Sequence, residues 1–357
     1  MRTMVMKKDG KNLSIELMRY LMIIAVAVLH FGEDFVGDMR IFLGGGALGV
    51  DFFFLIGGFY LAHHYYKHKS SESPVVQTNK YFIGRLRRLY PAYMISLGAI
   101  LAIYWSENYF SMQWLGKHLW ETKWQYVFLH FLCPNVGYDL RSMWYMSSFV
   151  FVMYIVYFLL SYNERLMMGV FPIASIIILT HIYATYGTIC IQGAWEGWLY
   201  GGTLRGFAEM TLGAFIYGNV KYCKDEGVHI KKSTYRILAT IVKWLAMILI
   251  LFLMRIYAVD TNDFVKLFLI VLFIRLSYCN CYECNSKSVN AVISWLGSIN
   301  YWIFCLHLVI SHLIVKYLHY IDYRVALVIY LIGITAIASL CQCIENYIHF
   351  KRMEKSR

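Results

Sequence analysis

A histidine lies deep in an apolar run, and an arginine stands eleven residues before it. The segment reads Arg19-Tyr-Leu-Met-Ile-Ile-Ala-Val-Ala-Val-Leu-His30. In a helix turning about 100° per residue, those eleven steps bring Arg19 and His30 to within about 20° of one face. Ionisable groups in lipid are costly, so they normally face a protein interior or a watery cavity and mark functional sites. An imidazole titrates near neutrality, which suits a general base. Two more sets of residues carry chemistry. Asp51, in Gly49-Val-Asp51-Phe-Phe-Phe, offers a carboxylate that can fix an imidazole's tautomer and raise its basicity. Arg85 and Arg88, in Arg85-Leu-Arg-Arg88, are three apart and share a helix face. Paired guanidiniums bind phosphates bidentately. Each set also has a plainer reading. Asp51 could be a helix-end carboxylate facing water, and the arginines could be ordinary basic anchors at a membrane surface.

The elements that must position these residues are membrane helices. The chain has 357 residues, 59% hydrophobic and 15% charged, with a mean hydropathy of +0.52. That composition belongs to an integral membrane protein rather than a soluble core. Aromatic residues reach 18%, as interfacial belts require. The expected fold class is all-α: a polytopic helical bundle, one transmembrane domain over residues 1–357. About ten spans are expected, near 14–35, 46–66, 88–105, 143–161, 169–187, 198–218, 237–257, 263–279, 291–315 and 324–346. A shorter apolar stretch, 124–133, is too short to cross and reads as interfacial or re-entrant. The first apolar span is long and lacks a small-residue cleavage pattern, so it reads as a retained helix.

Charge orients the bundle. The net charge of +12 is explained by basic residues on the cytoplasmic side, without any nucleic acid partner. With the N-terminus inside, the cytoplasmic segments hold 21 Lys and Arg and the outer segments 6. This predicts a multi-pass protein of a plasma membrane, bacterial in kind, with both termini cytoplasmic. His30 and Asp51 then fall at similar depths on neighbouring helices, toward the outer face. A His30–Asp51 dyad is the expectation. Arg85 and Arg88 are expected to open the third helix at the cytoplasmic face.

Other candidates read as structural. Arg205 and Glu209, four apart, suggest a buried ion pair. His307 is expected to be a packed, hydrogen-bonded residue. Cys279, Cys281 and Cys284 do not have a standard zinc spacing, so no metal site is expected.

Several segments together resemble the acyltransferase-3 family of integral membrane O-acyltransferases. They are Arg19-x10-His30, then Gly49-Val-Asp51-Phe-Phe-Phe-Leu-Ile-Gly-Gly-Phe59, then Tyr81-Phe-Ile-Gly-Arg85-Leu-Arg-Arg88-Leu-Tyr-Pro91 with its Arg-x-x-Arg motif. Weaker echoes are Met143-Trp144-Tyr145-Met146, Arg205-Gly-Phe-Ala-Glu209 and Leu296-Gly-Ser-Ile-Asn-Tyr301 leading to His307. They follow the family's order over most of the chain. Gly57 departs from a common Ser-Gly-Phe sequence.

The resemblance implies acyl transfer from a cytoplasmic acyl-CoA, acetyl-CoA above all, to a hydroxyl of a cell-surface glycan or its lipid-linked precursor. No tightly bound cofactor is implied. It gives His30 a catalytic role, and Arg85 and Arg88 a role in handling the donor. On this reading Asp51 orients His30, and Arg19 lines the donor passage. The expected partners are acyl-CoA, the carbohydrate or lipid-linked acceptor, and membrane lipids. The rival is a transporter or flippase of a polar or lipid-linked sugar. Inverted repeats or paired broken helices would favour it, and the sequence shows neither.

Overall fold

Glycines decide which helices meet. In this computed structural model, a Cβ on Gly58 would stand 1.8 Å from the Met210 carbonyl oxygen, and one on Gly213 would stand 1.9 Å from that of Leu55. Backbones approach this closely where side chains are absent. The model describes residues 12–37, 43–128, 139–191, 195–196, 199–226, 232–255, 262–279, 281–284 and 286–355.

Among the described residues, thirteen α-helices follow in order: α1 (Leu13–Val36), α2 (Leu48–Lys67), α3 (Pro74–Glu107), α4 (Met112–Phe128), α5 (Trp144–Tyr162), α6 (Glu164–Gly169), α7 (Phe171–Tyr186), α8 (Gly201–Asp225), α9 (Ser233–Leu253), α10 (Asp263–Ser277), α11 (Lys287–Ser298), α12 (Asn300–Leu318) and α13 (Tyr323–Lys355). A two-residue antiparallel pairing, Trp195–Glu196 with Leu199–Tyr200, precedes α8. The all-α membrane bundle is therefore present.

Every expected span is helical, with revisions. Among the described residues, six helical segments are long and apolar enough to cross a membrane: Leu13–Val36, Pro74–Glu107, Arg141–Tyr162, Ser233–Leu253, Asn300–Leu318 and Tyr323–Ile348. The remaining four expected spans correspond to α2, α7, α8 and α10. Of these, α7 and α10 have 16 and 15 residues, while α2 and α8 carry charged and polar side chains. The expected span 291–315 is broken at Ile299 into α11 and α12. Helix α3 begins at Pro74, well before the expected 88. Ser73 caps it by accepting from the Val76 N–H, and proline suits the first turn. Arg85 and Arg88 thus lie three turns inside α3 rather than at its start. The stretch 124–133 is helical to Phe128; residues 129–133 lie outside the described residues.

Helix α1 is central. It packs on α2 and the turn before it, where Gly49 and Gly46 face the carbonyls of Met22 and Ala25. It also packs on α11 and α12. One hydroxyl, Tyr330 Oη on α13, lies 3.3 Å from the Ala27 carbonyl and 3.1 Å from that of His307, fixing α12 beside α1. At the opposite end, Tyr301 Oη donates to the Leu89 carbonyl at 2.5 Å and ties α12 to α3. The bundle therefore has a His30 end and an Arg85 end. Helices α9 and α13 are peripheral and expose apolar residues such as Ile241, Ile248, Val328 and Ile332.

Candidate active site

Asp51 does not reach His30. Gly49 faces α1, so Asp51, two residues and about 200° further round, faces away from it. It faces α8. Arg205 Nε donates to Asp51 Oδ1 at 2.8 Å and to Glu209 Oε1 at 3.0 Å, and a second guanidinium nitrogen also bonds Asp51. Arg205 Nη1 lies 3.4 Å from the Ile191 carbonyl. All three side chains are buried, at 1% exposure or less. The expected Arg205–Glu209 pair is thus a triad including Asp51. It anchors α2 to α8, and the expected His30–Asp51 dyad is absent.

His30 has a different carboxylate. Its Nδ1 stands 3.5 Å from Glu33 Oε2, one turn along the same helix. Glu33 is held in turn: Arg141 Nη2 donates to Glu33 Oε2 at 2.9 Å and to Asp34 Oδ1 at 2.7 Å. Ser311 Oγ donates to Asp34 Oδ2 at 2.8 Å, bringing in α12. The i,i+3 spacing of His30 and Glu33 was available in the sequence. Arg141 had no local signal, because it arrives from the segment before α5.

His30 also lines a cavity of about 130 Å³. Ser142, Trp144, Tyr145, Arg205 and Lys266 line it too. The wall combines aromatic surface with a few polar groups, the make-up of a small-molecule site. His30 is 13% exposed at its side chain, and its Nδ1 makes no hydrogen bond of good geometry. With Nδ1–H turned toward Glu33, Nε2 is the basic nitrogen. Behind His30 stands His307 of α12, with ring centroids 5.4 Å apart. His307 is packed and hydrogen-bonded as expected: its Nδ1–H donates to the Phe304 carbonyl at 2.6 Å.

Arg19 lies about 16 Å from His30 along α1, at about 1.5 Å per residue. Its Nη1 donates to both oxygens of Glu16 at 3.0 and 3.1 Å, and its side chain is 30% exposed. Arg85 stacks over the Tyr81 ring at 5.2 Å, and Arg88 is exposed. Among the described residues neither is in an ion pair. Their neighbours differ: Lys69 pairs with Glu164 at 2.7 Å, and Lys80 pairs with Glu72. At the start of α6, between the membrane-spanning segments, burial pushes the Glu164 carboxyl up, but the hydrogen bonds of Lys69 and Tyr66 outweigh it and hold the group below the usual carboxylate range. Elsewhere, the guanidinium of Arg275 donates to Cys279 Sγ at 2.9 Å and to Cys223 Sγ at 3.3 Å. Among the described residues, no three His, Cys, Asp or Glu side chains gather as metal ligands would.

Comparison with known proteins shows the family. A family model described as an acyltransferase domain, that of the acyltransferase-3 family, matches residues 12–343. No curated protein and no solved structure matches significantly.

Proposed function

Because the chain belongs to the acyltransferase-3 family of membrane acyltransferases, we propose that it moves an acetyl group from acetyl-CoA to a hydroxyl of a cell-surface glycan or of its lipid-linked precursor. The observation that carries this reading is His30, an imidazole facing a small cavity with its other nitrogen 3.5 Å from a carboxylate. That is the arrangement a general base needs.

The chemistry is short. His30 Nε2 takes the proton of the acceptor hydroxyl as its oxygen attacks the thioester carbonyl. The tetrahedral intermediate expels the CoA thiolate, which takes the proton back from His30. Glu33 holds the ring and offsets the positive charge it gains. At the other end, Arg85 and Arg88 have no carboxylate partner among the described residues and suit the phosphates of CoA. Arg19 lies between the two ends on the His30 face, where it can guide the donor. On this reading the Arg85 end faces the cytoplasm of a plasma membrane, with both termini on that side.

The test is transfer of radiolabelled acetyl-CoA into the non-protein fraction of membrane vesicles, read with mass spectrometry of the surface glycan. His30→Ala is expected to lower transfer by about 10²–10⁴-fold, with wild-type amounts of folded protein. A folded His30→Ala protein retaining more than a tenth of the wild-type rate would exclude His30 as the base. Wild-type membranes that transfer no label, and a glycan lacking an acetyl increment, would exclude the acetyl donor and the glycan.

A further inference from the structure

His307 is fully enclosed, at 0% exposure, yet among the described residues its Nε2 has no hydrogen-bond partner. Its tautomer is set, because Nδ1 must carry the proton to donate to the Phe304 carbonyl at 2.6 Å. Nε2 is therefore a bare acceptor in an enclosed site. A buried acceptor left unpaired costs free energy, and natural cores rarely keep one without a use. Beside it lies another unpaired nitrogen, Nδ1 of His30. The two rings are 5.4 Å apart and tilted by 31°. Tyr330 holds their helices together at this level by bonding the carbonyls of His307 and Ala27.

The unpaired Nε2 of His307 gains a donor in one circumstance. A neutral His30 has one N–H, and that proton is directed toward Glu33. A protonated His30 has two. With the His307 ring held by its Phe304 bond and the rings 5.4 Å apart, an edge-on turn of the His30 ring aims its new Nε2–H at His307 Nε2. We propose that His307 is a positioning residue for the charged form of His30, accepting a hydrogen bond that forms when His30 has taken the acceptor's proton. The proton leaves the hydroxyl oxygen, resides on His30, and departs to the thiolate sulfur of CoA; His307 binds it without carrying it. The acceptor cost present at rest is relieved in the reacting state, and such an interaction lowers a barrier without tightening substrate binding. The inference rests on the proposed role of His30 as base.

The experiment uses full-length protein in membrane vesicles with radiolabelled acetyl-CoA, comparing His307→Leu, His307→Gln and His30→Ala. His307→Leu removes the unpaired acceptor at nearly constant volume. It is expected to lower kcat by about 10–100-fold, leave the KM for acetyl-CoA within twofold, and leave thermal stability unchanged or raised. His307→Gln, which keeps an acceptor oxygen, is expected to restore most of the loss. A structural role alone would instead lower stability in both variants and would not be rescued by Gln. His307→Leu with kcat within threefold of wild type, or His307→Gln as slow as Leu, would overturn the proposal. If His307→Leu is silent while His30→Ala is inactive, this inference alone fails. If His30→Ala stays active, the base assignment fails with it.

Discussion

Arg205 and His30 line the same cavity, yet their surroundings are built on opposite terms. Arg205 is saturated: its guanidinium meets two carboxylates and a carbonyl within 3.4 Å. His30 is left short, with a carboxylate at 3.5 Å, a second imidazole beside it, and no well-formed hydrogen bond at Nδ1. A saturated charge holds helices in register and loses energy if disturbed. An unsaturated titratable group at a cavity retains bonding capacity for a reacting ligand. Proximity to the cavity therefore does not by itself distinguish support from catalysis. The pattern of satisfied and unsatisfied atoms does.

The comparison breaks most visibly if the two residues fail in the same way. Arg205→Leu removes one partner from buried Asp51 and Glu209 and should cost about 3–5 kcal/mol. It should appear as loss of folded protein and a large fall in thermal midpoint in detergent. His30→Ala should leave that midpoint near wild type while transfer collapses. An Arg205→Leu protein as stable as wild type would mean the triad does not anchor α2 to α8.

A smaller effect is expected at the far end. Arg85→Ala and Arg88→Ala should each weaken acetyl-CoA binding about ten- to a hundredfold, the loss of one charge-assisted phosphate contact. Arg→Lys should recover part of it, since the ammonium keeps charge but loses the bidentate fork. Equilibrium binding to purified protein measures this. Affinities equal to wild type in both Ala variants would make the pair surface anchors, like the paired Lys69 and Lys80.

What the sequence revealed and hid follows from geometry. Apolar runs fixed the position of each membrane helix, because burial in lipid demands length and apolarity. The capping signal Ser73-Pro74 for the early start of α3 was present, but polar residues such as Gln77, Asn79 and Lys80 masked the helix behind it. The break at Ile299 did leave a mark, the small and polar Gly297, Ser298 and Asn300, but the apolar residues on either side read through it as one span. Depth along a helix could be counted, which put His30 and Asp51 at one end correctly. Azimuth could not, because which side of α2 meets α1 depends on glycine contacts that appear on packing. Gly49 takes that side and sends Asp51 to Arg205. The partner of His30 was the local one, Glu33, and the i,i+3 rule would have found it.

The finest test sets the two carboxylates against each other. Glu33→Gln keeps the shape and an oxygen facing His30 Nδ1 but removes the charge that favours an imidazolium. Arg141 still has Asp34, bonded at 2.7 Å, so the local scaffold stays tied. Transfer should fall by about tenfold, below the full effect of a missing base, with no change in thermal midpoint. Asp51→Asn should do the reverse. The amide keeps part of the bonding to Arg205 but loses charge-assisted strength, about 1.5–3 kcal/mol for such a bond, while His30 loses nothing it contacts. Its thermal midpoint should drop, and its rate per folded molecule should hold. If Asp51→Asn slows transfer as much as Glu33→Gln at equal folded amounts, then Asp51 acts on the reaction through Arg205. The division between an anchoring triad and a reacting imidazole would then have to be redrawn as one connected site.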